Sequence, residues 1–361
     1  MGKRIINFNP GPCALPLEIL EKAAAEFTDY AGTGMSIMEI SHRSKQFQAV
    51  VDEAVALLKE LLSVPDNYKI MFLGGGASSQ FYFVPMNYLG GGVADYVNTG
   101  SWSKKAIKEA KLFGTVNVAA SSEDDKFKFI PKQADLKLTA DAKYVHYTSN
   151  NTIYGTEFHY VPAVTPPLIC DMSSDIMSFP LDVGKFALIY AGAQKNLGPA
   201  GVTVIIARDD FIEQGSDKIP TMVQYRTHAK ENSLYNTPPC VNIYMLKLFM
   251  EWVKKEGGLK GMAARTDEKA KLLYGAVDEM GALYKGHAAA DSRSNMNATF
   301  NLAGGEEQEK KFIEEATKAG FGGCKGHRSV GGIRISMYNA ISPEDIKKLV
   351  AFMKEFYTKS K

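Results

Sequence analysis

Apolar positions along the chain fall into two periods, and their alternation orders the elements. In residues 44–62, SKQFQAVVDEAVALLKELL, Phe47, Val50, Val51, Ala54, Val55, Leu58, Leu61 and Leu62 recur at helical spacing, and Ser44 stands where an N-cap belongs. Residues 69–73, KIMFL, are a short apolar run of the buried-strand type that ends in three glycines. Residues 103–112 read as a basic amphipathic helix opening just after Trp102, and AKYVHY (142–147) and PLIC (167–170) as further strands. FALIYAGA (186–193), a polar turn and VTVIIA (202–207) read as strand, turn, strand. Strands alternating with helices from about 65 to 210 imply an α/β layer with a mainly parallel, mixed sheet flanked by helices. A long apolar helix, CVNIYMLKLFMEWVKKE (240–256), is ended by Gly257 and Gly258. Beyond it come a helix at 262–280, a strand near 294–302, a helix at 306–319, a strand at 332–337 and a closing helix at 343–358. The expected architecture is α/β, with a large domain at 16–257, a smaller α+β domain at 258–361, and an N-terminal segment, 1–15, packing with the smaller domain.

Composition narrows the function classes. The chain has 361 residues, 45% hydrophobic and 23% charged, which is globular and long enough for two domains. Lys+Arg 42 against Asp+Glu 40 gives a net charge of +2, so no basic excess points to nucleic acid or a membrane surface. No apolar run approaches the roughly 20 residues that span a bilayer, and MGKRIINFNP lacks the apolar stretch of a secretory leader. Cys13, Cys170, Cys240 and Cys324 are scattered, with no metal-ligand spacing, so no metal is expected and a reducing cytoplasm is.

Candidate chemistry gathers where strands end, since open α/β sheets bind ligands outside the carboxyl ends of their strands. KIMFL leads into GGGASSQF (74–81), where glycines permit a tight turn, a helix opens with free N–H groups, and Ser78 and Ser79 add hydroxyls. That is either a phosphate cradle or an ordinary glycine-rich turn, and it lacks the lysine of a nucleotide-triphosphate loop. PLIC leads into Asp171, which could be a turn residue or the partner of a cationic ring nitrogen. VHY leads into a polar stretch holding Thr152, and FALIYAGA leads into Gln194 and Lys195. Lys195 alone reads first as a solvated turn lysine and only second as a reactive amine. Together with Asp171, the glycine turn and an aromatic opening a helix, Trp102, it meets the needs of one cofactor. Pyridoxal 5'-phosphate requires an amine, an acid beside its ring nitrogen, a phosphate site and a flat surface.

Arginine placement adds a second pattern. Of six histidines, two are followed directly by arginine, His42-Arg43 and His327-Arg328, and Arg334 lies shortly after the second pair in GGCKGHRSVGGIR. Any one of them could be a surface ion-pair partner. The glycine-rich setting favours ligand approach, and several arginine forks suit a substrate bearing both phosphate and carboxylate.

FNPGPCALP, MSIMEISHRS (35–44), GGGASSQF, NTGSW (98–102), CDMSSDI, AGAQKNLGPAG, LYNTPP (234–239) and GHRSVGGIRIS closely resemble the phosphoserine aminotransferase family of class V, fold-type I pyridoxal-phosphate enzymes, nearly end to end. The resemblance implies Lys195 as the Schiff-base lysine, Asp171 as partner of the pyridine nitrogen and Trp102 as the stacking ring. It implies Ala77 and Ser78 in the phosphate turn, and Thr152 and Gln194 beside the cofactor ring. Asn236 and Thr237 would reach the cofactor phosphate from the neighbouring subunit of a homodimer. Arg334 would clamp the substrate α-carboxylate, and His42, Arg43, His327 and Arg328 would take the substrate phosphate or the side-chain carboxylate of glutamate. Some members carry an arginine where this chain has Ser78. The implied reaction is reversible transfer of an amino group from L-glutamate to 3-phosphohydroxypyruvate, giving O-phospho-L-serine and 2-oxoglutarate in serine biosynthesis, with a phosphorylated four-carbon analogue open as a second substrate. Three rivals share the fold: a cysteine desulfurase using Cys324, a small-substrate aminotransferase such as alanine–glyoxylate, and a non-catalytic binding protein.

Overall fold

A computed structural model describes residues 4–360; residues 1–3 and 361 of the two expected end segments lie outside it. The strands, in chain order, are β1 (Ile6–Asn7), β2 (Tyr68–Leu73), β3 (Val93–Asn98), β4 (Thr115–Ser121), β5 (Val145–Thr148), β6 (Asn150–Asn151), β7 (Thr156–Glu157), β8 (Leu168–Asp171), β9 (Leu188–Gly192), β10 (Thr203–Arg208), β11 (Tyr284–Gly286), β12 (Asn297–Leu302), β13 (Phe321–Gly322) and β14 (Ile333–Ser336). Seven of them form one sheet in the order β2-β10-β9-β8-β5-β3-β4. From β9 to β4 every pairing is parallel, whereas β10 is antiparallel to both its neighbours. The sheet is therefore mixed. The connection from β9 to β10 is a short turn, and a turn of that length joins only antiparallel strands.

Helices cover both faces, so β9 and β10 are buried almost throughout and read as continuous apolar runs. On one face the helix Lys45–Leu62 packs against the helix Cys240–Lys255, burying Phe47, Val50, Leu58, Leu246 and Phe249 in one core cluster. Each such side chain contributes about 1.5–3 kcal/mol of transfer free energy on burial. Ser44 caps the first of these helices, its Oγ accepting from the Phe47 N–H at 3.2 Å. On the other face the helices Gly76–Tyr88 and Ser101–Ala110 pack on Met71, Tyr96, Tyr190 and Ile205.

Three details differ from the periodicity reading. The helix predicted to open after Trp102 starts at Ser101 and contains it. Ser103 Oγ accepts the N–H groups of both Thr99 and Gly100, at 3.0 Å each, and so anchors the first turn earlier. Strands β3 and β4 carry no clear apolar run. Asp95 interrupts β3, and it is tolerated there because Thr139 and Asn117 hydrogen-bond its carboxylate. The helix Gly258–Glu279 is longer than its apolar pattern suggested. Leu259 and Met262 in its first turns belong to the large core, and Leu273, Ala276 and Val277 to the C-terminal core.

That C-terminal core is built on the antiparallel sheet β11-β12-β14, with the helices Gly305–Lys318 and Pro343–Lys359 packed through Phe312, Leu349 and Met353. Near the N-terminus, β1 pairs in parallel with β13, Ile6 opposite Phe321, and Phe8 is buried in the same core.

Candidate active site

A cavity of about 500 Å³ opens outside the carboxyl ends of β5, β8 and β9, between the large sheet and β14. The fold brings Ala77, Ser78, Trp102, Thr152, Asp171, Gln194, Lys195, His327, Arg328 and Arg334 together around it. These residues span most of the sequence, so their convergence is a product of the topology.

Lys195 lies in the β9–β10 turn and is 8% exposed. Its Nζ donates to Thr152 Oγ1 at 2.6 Å, and its carbonyl accepts from Cys13 Sγ at 2.9 Å. Burial lowers the amine pKa to about 8, against the pull of Asp171; Arg334 also lowers it. Gly11 makes close approach of the N-terminal segment possible. A Cβ there would meet Lys195 Cγ at 3.2 Å and Gln194 Cγ at 3.3 Å, and its φ of +129° is one that L side chains rarely adopt.

Asp171 ends β8 and is also buried. Ser173 donates twice to its Oδ1, from the backbone N–H at 3.0 Å and from Oγ at 2.6 Å. Burial raises the carboxyl pKa, and the Ser173 bonds and the Lys195 charge pull it back. The carboxylate is thus fixed in orientation while Oδ2 has no hydrogen-bond partner among the described residues.

The glycine turn is a helix N-terminus. The helix Gly76–Tyr88 follows Gly75 at φ +90°, and no side chain caps it. A Cβ on Gly75 would lie 2.8 Å from Ser79 Oγ. Gly76, Ala77 and Ser78 border the cavity there, with the positive end of the helix behind them. On the opposite wall Arg334, on β14, is 7% exposed, and its Nη1 donates to the Thr152 carbonyl at 3.4 Å. His327 has its imidazole pKa lowered by burial and by the cations Arg334, Arg328 and Lys105.

The donor set suits pyridoxal phosphate. Trp102 Nε1, Thr148 Oγ1 and Arg334 Nε are buried, unpaired polar atoms on cavity-lining residues, and such atoms call for a ligand or water. An amine, an anchored carboxylate, an indole ring and an open helix N-terminus complete the match. The ring of Trp102 has Lys195 Nζ 5.6 Å from its centroid.

Four expected site residues do not line this cavity: His42, Arg43, Asn236 and Thr237. Asn236 and Thr237 are exposed, and His42 keeps an unpartnered Nε2. Conversely, Thr148, Ser173 and Lys105 line it without having been singled out in the sequence. The serine two residues beyond a strand-end aspartate was the available signal for Ser173, since that spacing lets it hydrogen-bond back to the carboxylate. Cys324 does not line the cavity. It is 3% exposed in the C-terminal core, and burial pushes its thiol up to about 12, which disfavours the desulfurase reading.

Comparison with known proteins agrees with this geometry. The aminotransferase class-V family profile matches residues 5–349. A phosphoserine aminotransferase of Desulfosudis oleivorans is 57% identical, covering 99% of both chains. The solved phosphoserine aminotransferase of Bacillus circulans subsp. alkalophilus superposes with a TM-score of 0.97 at 51% identity, covering 100% of both chains. The pyridoxal-phosphate-bound phosphoserine aminotransferase of Trichomonas vaginalis superposes with a TM-score of 0.93 at 40% identity, covering 97% of this chain and 100% of that one.

Proposed function

The chain belongs to the class-V aminotransferases and within them to the phosphoserine aminotransferases, and on that premise we propose how its residues divide the work of a pyridoxal-phosphate-dependent transaminase. The reaction is amino transfer between L-glutamate and 3-phosphohydroxypyruvate, yielding O-phospho-L-serine and 2-oxoglutarate, with serine biosynthesis as its usual setting. When bound, the cofactor supplies a carbonyl that condenses with amines and a cationic ring that draws off the electrons left by a departing Cα proton.

Lys195 would hold the cofactor through its Nζ. Once freed, its Nζ takes the Cα proton of the amino-acid substrate and returns it on the other side of the exchange. Its lowered pKa suits that work, because a usable fraction is neutral near pH 7. Asp171, oriented by Ser173, keeps the proton on the ring nitrogen. Trp102 offers the stacking face, and Thr152 and Gln194 border the ring. The N–H groups at Ala77 and Ser78 would receive the cofactor phosphate, without the arginine some relatives place at Ser78.

Arg334 clamps the substrate α-carboxylate, and Arg328 and His327 take the distal anion. The observation that carries the substrate reading is that Arg334, at the amine end, and Arg328, at the distal end, both line the cavity without any carboxylate ion-pair partner among the described residues. Arg334 is buried, and a buried cation without a partner is costly unless an anion arrives. The remaining four residues fit a homodimer. A second copy of the chain would bring its Asn236 and Thr237 to the cofactor phosphate and its His42 and Arg43 to the distal anion. Exposed Met35, Met38, Met222 and Tyr235 lie near these residues in sequence and would be covered by that contact. The large unit at 16–257 would then carry the cofactor and the unit at 258–361 the substrate arginines, with the N-terminal segment bridging them. A cytoplasmic location fits the four free cysteines; among the described residues no helix is long and apolar enough to cross a membrane.

The deciding assay supplies glutamate with 3-phosphohydroxypyruvate or with the unphosphorylated keto acid. The phosphorylated acceptor is expected to give a kcat/KM at least about a hundredfold higher, since it alone makes the charge-assisted contacts at the distal end. Equal rates would overturn the phosphate assignment and favour a small-substrate aminotransferase.

A further inference from the structure

Lys105 and Lys104 are adjacent on the helix Ser101–Ala110, yet they meet different surroundings. Lys104 is tied to Glu123 by an ion pair. Lys105 has no carboxylate partner among the described residues. Its Nζ lies 4.3 Å from the centroid of the Trp102 ring, one helical turn back, and the residue lines the active-site cavity with His327 and Arg328. Trp102 therefore serves as a rail for the lysine stem, through a cation–π contact that leaves the three N–H donors available.

Around it the charges are one-sided. Lys105, Arg328 and Arg334 all act on His327, and all three lower its pKa. Burial and these cations together disfavour the charged imidazolium, so His327 is better suited to offer a hydrogen bond than a charge. Its Nδ1 already accepts from the Ser329 N–H at 3.2 Å, which leaves Nε2 as the donor. Arg334 sits against the Thr152 carbonyl, at the amine end. Within one chain, the fixed positive charges at the distal end are thus Arg328 and Lys105.

We propose that Lys105 is a substrate-binding residue whose ammonium meets the phosphate of the phosphorylated substrate and favours that dianion over the single carboxylate of glutamate. The inference rests on the phosphoserine reading of the site. A phosphate carries about −1.5 to −2 charges at pH 7, so a second cation gains more from it than from a monoanion. A lysine suits this place because one end of the site must accept two anions of different shape. A point charge on a flexible stem follows either, whereas a guanidinium fork is fitted to one geometry.

The test uses the holoenzyme with K105M and K105R. Methionine keeps an unbranched apolar stem against Trp102 and removes the charge. K105M is expected to raise KM for 3-phosphohydroxypyruvate roughly tenfold, with the loss falling on KM rather than kcat, and to raise KM for glutamate by less than about threefold. Inorganic phosphate, used as a competitive probe, should bind K105M more weakly by a similar factor in calorimetry, and K105R should recover most of both losses. Affinity for pyridoxal phosphate, followed by tryptophan fluorescence on the cofactor-free protein, should stay within about twofold. An unchanged KM for the phosphorylated acid overturns the proposal. So does a K105M defect shared equally by both substrates and accompanied by weaker cofactor binding, which would make Lys105 a support for Trp102. Wild-type enzyme that does not prefer phosphorylated substrates would overturn the phosphoserine reading first and this proposal with it.

Discussion

Lys195→Ala is expected to lower kcat by about 10⁴-fold or more, because it removes both the amine that holds the cofactor and the base that moves the Cα proton. The fold should survive. The Lys195 side chain makes one hydrogen bond, to Thr152, and its backbone contact with Cys13 does not depend on the side chain. Removing a buried amine also relieves a desolvation cost, so the melting temperature should not fall. The same residue sets a pH dependence in the cofactor-free protein. Burial lowers its pKa to about 8, well below that of an ordinary lysine. The neutral amine is the reactive form, so the rate at which wild-type protein captures pyridoxal phosphate should rise with pH and level off above about 8. At pH 7 roughly a tenth of the amine is neutral, against about one in a few thousand for an ordinary lysine. Stopped-flow absorbance on wild type and Lys195→Ala checks both points. Turnover by the alanine variant within tenfold of wild type would remove Lys195 from its role.

Asp171→Asn should cost about 10³-fold in kcat while leaving the architecture of the site in place. Asparagine Oδ1 can accept both Ser173 bonds, at positions now 3.0 and 2.6 Å from Asp171 Oδ1, so the side chain keeps its orientation. What it loses is the negative charge that stabilises a proton on the cofactor's ring nitrogen. The defect should therefore appear in kcat far more than in the affinity for either substrate. It should also not be recovered by raising the pH, because the amide has no charge to regain. Steady-state kinetics between pH 6 and 9, with a thermal melt to confirm folding, distinguish this from a packing defect. A variant whose kcat stays within tenfold of wild type, or whose loss falls mainly on KM, would mean that Asp171 does not face the ring nitrogen.

Much of the fold was legible because burial on two faces leaves a strong sequence mark. β2, β9 and β10 are continuous apolar runs, and the helices Lys45–Leu62 and Cys240–Lys255 carry clear stripes. β3 and β4 were not legible, since Asp95 breaks one run and β4 lies at the sheet edge, where its exposure varies from residue to residue. Antiparallel β10 was implicit in the short turn after Lys195, and it makes the sheet the mainly parallel but mixed one that was expected.

The candidate site divides in the same way. The sequence by itself determined which chemistry was present. A strand-end lysine, a strand-end aspartate, a glycine turn at a helix start and an indole are too specific in combination for much else, and the His-Arg pairs pointed to an anionic substrate. Whether these residues met was decided by tertiary structure, because the pairing β5-β8-β9 sets Asp171 and the Lys195 turn side by side. The fold also kept His42, Arg43, Asn236 and Thr237 off the cavity of their own chain. Nothing in a pair of adjacent lysines distinguishes Lys104 from Lys105. Successive residues of a helix point about 100° apart. Where that helix is docked sends one lysine to Glu123 and the other across the Trp102 ring toward the substrate.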